Sequence, residues 1–227
     1  MRWILMFVML LLPAFAAAQE APALKTEKDK LSYAMGMDLG NQLKSRSVEI
    51  DPAIFGRGLA DALAGSKTLL TAEEAKAIIT ELQKGMLVKQ AAEAKAVGAK
   101  NKSEGDAFLA ANKAKEGVVT LASGLQYKIL TAGTGKMPTA DNTVVCQYRG
   151  TLIDGKEFDS SYTRNQPASF QVKGVIKGWT EVLQLMPVGS KWQVVIPPAL
   201  AYGERGTGAD IGPNATLIFE IELVAIK

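Results

Sequence analysis

The side chains best placed to do chemistry in this chain are aromatic. The stretch VIKGW, Val175 to Trp179, ends an extended run and opens a short helical one, putting an indole in that helix's first turn. Inside a sheet rich in Val, Ile and Phe, such a ring can floor an apolar pocket. Tyr148 lies in VVCQYRG, Phe158 and Asp159 in FDSS, Tyr202 in AYGERG, and Phe219 on a strand in ATLIFEIEL. The two tyrosine hydroxyls and the indole N–H each need a partner when buried. Asp159, directly after Phe158, can accept one such bond. Residue types alone therefore describe an apolar pocket with a few polar handles, the default form of a small-ligand or peptide site.

Composition narrows the chemistry further. The 227 residues are 48% hydrophobic and 22% charged, enough for a real core in one or two domains. A net charge of +3 is too mild to argue for nucleic acid. The chain has no His and a single Cys, Cys146. A His-dependent triad, the usual Cys/His zinc sites and an internal disulfide are thereby excluded. No nucleophile elbow or S-x-x-K run supports a serine hydrolase. Cys146 shares an apolar strand face and reads as a small buried hydrophobe. Nothing in the sequence asks for a cofactor or a metal.

The elements that must position these rings follow from periodicity. Residues 1–18 read as a signal peptide: Arg2, the apolar run WILMFVMLLL, then small residues with Ala16 or Ala18 before the cut. Residues 19–29 are polar and expected to be disordered. From Lys30 the pattern is helical, with Leu31, Met35, Leu39 and Leu43 four apart and Gly36 and Gly40 open to a close-packed neighbour. A second helix starts at N-cap Asp51 with Pro52 and stops at Gly65. A third starts at Thr71, which forms a capping box with Glu74, and turns Ala/Lys/Glu-rich after Gln90. We expect a helical dimerisation domain at 30–88, a long connecting helix at 71–116 that Gly98 and Gly105 could interrupt, and a β-rich domain at 117–227. Two short helices and half a long one hold too little core to stand alone, which points to a homodimer through the N-terminal helices. The fold class is α+β: an antiparallel sheet with one short helix, GWTEVLQLM, packed on it, preceded by an all-α domain. Val144, Cys146 and Tyr148 share one face, as do Trp192, Val194 and Ile196, and Leu217, Phe219, Ile221 and Leu223.

The runs YRGTLIDGKEFDSSYTRNQP, VIKGWTEVLQLMPVGSKW, IPPALAYGERG and IGPNATLIFEIELV, in this order, resemble the FKBP family of macrolide-binding peptidyl-prolyl isomerases over about 120–227. Residues 24–117 are similar, on looser motifs, to the helical region of its exported members, the macrophage-infectivity-potentiator and FkpA types. The resemblance implies a half-open sheet wrapped around one helix. It implies a pocket of Tyr148, Phe158, Asp159, Arg164, Phe170, Val175, Ile176, Trp179, Tyr202, Ile211 and Phe219. Trp179 would be the floor beneath a proline ring, with Tyr148, Phe158 and Phe219 as walls. Tyr202 and the Ile176 N–H would donate to substrate, and Asp159 would orient Tyr148 or Arg164. Gln147 and Ala168 depart from the family pattern, where His and an aromatic are common.

The activity implied is cis–trans isomerisation of prolyl bonds during folding of exported proteins, without a covalent intermediate. Implied partners are proline-containing polypeptides, unfolded exported proteins and macrolides of the FK506 or rapamycin type. The expected location is the periplasm of a Gram-negative bacterium, with outer-membrane association left open. Two other readings compete: a dimeric holding chaperone in which isomerisation is secondary, and a structural or adhesion protein on an inactive scaffold.

Overall fold

Capping decides where the N-terminal helices begin. The structure, a computed structural model, describes residues 24–227, so the expected signal peptide lies outside the described residues. The first helix, α1, spans Glu27–Ser45 rather than starting at Lys30. Thr26 accepts from the Asp29 N–H at 3.1 Å, and the Asp29 carboxylate accepts from the Thr26 N–H at 2.9 Å. This reciprocal box draws residues 27–29 into the helix, correcting the expectation that they are disordered. The leucine spacing locates the helix's apolar face, and the cap sets its start. In α2, Pro52–Ala64, the Asp51 side chain accepts from Ala53 and Ile54, and Gly65 closes the helix at φ 62°. Neither helix contains a buried residue. Leu31, Met35, Leu59 and Leu63 lie open, Leu63 to 81% of its surface.

The chain divides at Ala72 into two units. The second opens with α3, Ala72–Lys113, which runs unbroken through Gly98 and Gly105 for about 63 Å at 1.5 Å per residue. Its early apolar residues, Ile78, Ile79 and Leu82, are exposed. Its later part is seated: Gly98, Gly105 and Asn112 are buried. Asn112 donates to the Gln126 side chain at 2.9 Å, and Gln126 in turn donates to the Leu109 carbonyl.

Seven strands follow: β1 (Val118–Thr120), β2 (Gln126–Thr131), β3 (Thr143–Leu152), β4 (Glu157–Ser160), β5 (Ala168–Gln171), β6 (Lys191–Ile196) and β7 (Leu217–Ile226). All pairings are antiparallel, in the order β1-β2-β6-β7-β3-β4, with β5 on the first half of β3. Asp154-Gly155 makes the expected turn between β3 and β4, Gly155 at φ 89° and the Leu152 N–H on the Lys156 carbonyl. The one helix between strands, α4 (Lys177–Leu183), buries Trp179, Val182 and Leu183 against the sheet. The alternating faces of β3, β6 and β7 supply the rest of the core, including Val144, Cys146, Val194, Leu217, Ile221 and Leu223. Cys146 is fully buried, and burial pushes its thiol up to about 12, so it stays protonated and inert at neutral pH.

Candidate active site

The site is built outward from Trp179. A turn at Val172–Gly174 brings the chain from β5 into α4, and Trp179 falls on the first turn of that helix, buried to all but 4% of its surface. Three rings from three strands meet the indole edge to face. Tyr148 of β3 stands at 5.2 Å between centroids, Phe219 of β7 at 5.3 Å and Phe170 of β5 at 5.4 Å. Phe158 of β4 completes the wall against Phe219 at 5.5 Å. Such edge-to-face pairs fix ring orientation as well as burying area. Gly150, opposite both Asp159 and Phe219 in register, makes the last pair possible. A Cβ there would fall 2.7 Å from atoms of both the Phe158 and the Phe219 ring.

Above this floor lies a cleft of about 520 Å³ lined by Tyr148, Phe158, Asp159, Phe170, Gly174, Val175, Ile176, Trp179, Tyr202 and Phe219. Nine of the eleven residues expected in the pocket therefore line one cavity. Gly174 is the lining residue that sequence reasoning missed; having no side chain, it gives no chemical signal. Arg164 sits at the edge, where it binds two of the lining side chains. Ile211 does not line the cleft: it is 6% exposed and belongs to the core.

The polar edge is a closed triangle. Tyr148 Oη donates to Asp159 at 2.6 Å; Arg164 donates to Asp159 at 2.5 Å and to Tyr148 Oη at 2.6 Å. Burial pushes the Asp159 carboxyl up, but the bonds from Tyr148 and Arg164 and the guanidinium charge outweigh it and hold the group below its ordinary value. Burial, aided by the Asp159 bond, raises the Tyr148 phenol. Asp159 is thus an anion and Tyr148 a neutral donor across the physiological range. Behind Tyr148, its N–H donates to Ser161 Oγ at 2.8 Å, and Ser161 Oγ donates to the Gln147 side chain. Gln147, one of the two departures from the family pattern, supports this strand from the outer side. Among the described residues the buried Trp179 Nε1 finds no acceptor, and Tyr202 is 38% exposed at the rim, whereas the Tyr148 hydroxyl is bonded to the half-exposed Asp159 and to Arg164.

The arrangement is an apolar aromatic floor with one fixed anion, one cation and phenolic donors at its edge. It offers shape, low polarity and hydrogen bonds. Residues 134–224 match the family FKBP-type peptidyl-prolyl cis-trans isomerase, and residues 28–129 match the domain amino terminal to FKBP-type peptidyl-prolyl isomerase. The chain is 46% identical over 226 residues to the peptidyl-prolyl cis-trans isomerase Mip of Coxiella burnetii, covering 100% of this chain and 98% of the relative. The chain belongs to the FKBP-type peptidyl-prolyl cis-trans isomerases. Its similarity extends to the outer membrane protein MIP of Legionella longbeachae, 50% identical over 93% of this chain and 91% of that one. Among solved structures, the FKBP-type chain matches FkpA from Escherichia coli at a TM-score of 0.68 and 38% identity, over 90% of its own length and 99% of the other's. The resemblance drawn from motifs and the expected α+β fold both stand.

Proposed function

We propose that the Trp179 cleft is where this isomerase turns prolyl bonds, and that it does so without a nucleophile or proton transfer. The observation that supports this reading is the ring of edge-to-face aromatics around Trp179 at 5.2 to 5.4 Å. Rotation about a peptide bond faces a barrier of about 18–20 kcal/mol because amide resonance must be lost. The twisted amide is less polar than either planar form. A water-poor aromatic floor therefore disfavours the ground states more than the transition state, which is differential binding. In this reading Trp179 lies under the proline ring, Phe158, Phe170 and Phe219 enclose it, and Tyr202 and the Ile176 N–H hold the flanking carbonyls. Asp159 and Arg164 keep Tyr148 upright. The test is NMR exchange on an X-Pro tetrapeptide: Trp179→Leu should cut the catalysed rate at least about tenfold, since it removes the floor that distinguishes the two states. A variant as fast as the natural chain overturns the assignment of the site.

The proposed partners are proline-containing segments of exported, incompletely folded proteins, with macrolides of the FK506 and rapamycin type as competing occupants of the same cleft. The signal-peptide pattern at 1–18 supports export to the periplasm. Among the described residues no helix is long and apolar enough to cross a membrane. The open apolar faces of α1 and α2 support a homodimer formed through them.

A further inference from the structure

The late part of α3 touches the cleft indirectly, through one turn. Asn101 Nδ2 donates to the Pro213 carbonyl at 2.8 Å, and Asn214 Nδ2 donates back to the Gly98 carbonyl at 3.4 Å. Gly98 leaves room for this turn: a Cβ there would lie 3.1 Å from Pro213 Cβ. Asn214 is held at φ 55°, a conformation Asn tolerates better than most residues. Its backbone N–H then donates to the Gly203 carbonyl at 2.8 Å, one residue from Tyr202 at the rim of the cleft. Helix, turn and Tyr202 loop thus form a continuous hydrogen-bonded chain. Tyr202 is partly exposed and lies between two short 3₁₀ turns, so this chain is a specific restraint on where its side chain sits.

We infer that Asn101 is a positioning residue for the isomerase site, acting from α3 through the Pro213–Asn214 turn on Tyr202. The connecting helix is then part of the site's scaffold. This inference rests on the reading of the Trp179 cleft as the isomerase site.

The experiment is a double-mutant cycle on the full chain, with X-Pro tetrapeptide exchange as readout. Asn101→Ala should lower kcat/KM about fivefold, the rate equivalent of one neutral hydrogen bond. Ala is the better helix former, so the loss cannot be assigned to a weaker α3. Asn101→Asp, of the same shape without the donor, should behave alike. In a Tyr202→Phe background the Asn101→Ala loss should shrink below about twofold, because the hydroxyl it positions is gone. Equal losses in both backgrounds, or no loss from Asn101→Ala in an active chain, overturn the inference and leave the isomerase reading standing. A natural chain that turns over no prolyl peptide overturns both.

Discussion

The rings of Tyr148 and Trp179 meet edge to face, 5.2 Å between centroids with planes at 90°. The same tyrosine binds Asp159 through its hydroxyl, so one side chain joins the apolar floor to the polar edge. Tyr148→Phe separates these roles, since it keeps the ring and removes the bond. The folded chain should lose about 1 kcal/mol, and turnover should fall a few-fold. The Asp159 carboxyl should titrate closer to its ordinary value, having lost one of the donors that depress it. Carbon-13 NMR of that carboxyl reads this directly, and an unmoved titration would show that the hydroxyl does not bind it.

The pH dependence follows from the same groups. No His is present, the Asp159 carboxyl ionises below its ordinary value and the Tyr148 phenol above its own. The kcat/KM profile should therefore be flat between about pH 5 and 8, outside the range of either group. Stability has a definite sign. Because the folded Asp159 has the lower pKa, its contribution is present above the unfolded carboxylate pKa and is lost as pH falls through the folded one. With its side chain 42% exposed, that contribution is at most about 1 kcal/mol. A bell-shaped rate profile centred near neutrality would point to proton transfer instead.

How much of this was readable in the residues depends on the kind of signal. The strand faces were, because Leu217, Phe219, Ile221 and Leu223 alternate strictly with polar or half-exposed neighbours and burial follows that alternation. The turn at Asp154-Gly155 and the caps at Asp51 and Gly65 were, because each is local chemistry. The start of α1 was missed because Asp29 fills the place a Glu or Gln would normally take in its capping box. The roles of Gly150 and Gly98 were invisible for a different reason. Each is defined by what lies across from it, the Phe158 and Phe219 rings in one case and Pro213 in the other. Ile211 was placed in the cleft by resemblance, and an apolar residue beside a pocket and one beneath it look the same in sequence.

The apolar residues left open on α3 make a prediction about assembly. Ile78, Ile79 and Leu82 are 57%, 52% and 41% exposed in a single chain. A second copy covering them would bury a stripe that one chain leaves in water. Leu82→Glu should turn a dimer into a monomer by light scattering, while turnover of a short prolyl peptide stays unchanged, since Leu82 is not among the residues lining the cleft. A natural chain that is already monomeric removes the basis for the dimer.

Gly105 tests whether α3 is seated as tightly as its burial suggests. In an exposed helix, Gly→Ala gains about 1 kcal/mol from propensity alone. Here a Cβ at position 105 would collide with the buried Thr216 side chain, whose hydroxyl has no hydrogen-bond partner among the described residues. Thr216 immediately precedes β7, whose pairing with β3 and β6 leaves it little freedom to retreat. Overpacking of this kind costs about 1–3 kcal/mol, so the clash should outweigh the gain in propensity. Gly105→Ala should therefore lower the Tm, by up to about 8 °C, the shift expected for a net loss of up to about 2 kcal/mol in a domain of this size. A higher Tm would mean that α3 stands clear of Thr216 at this position.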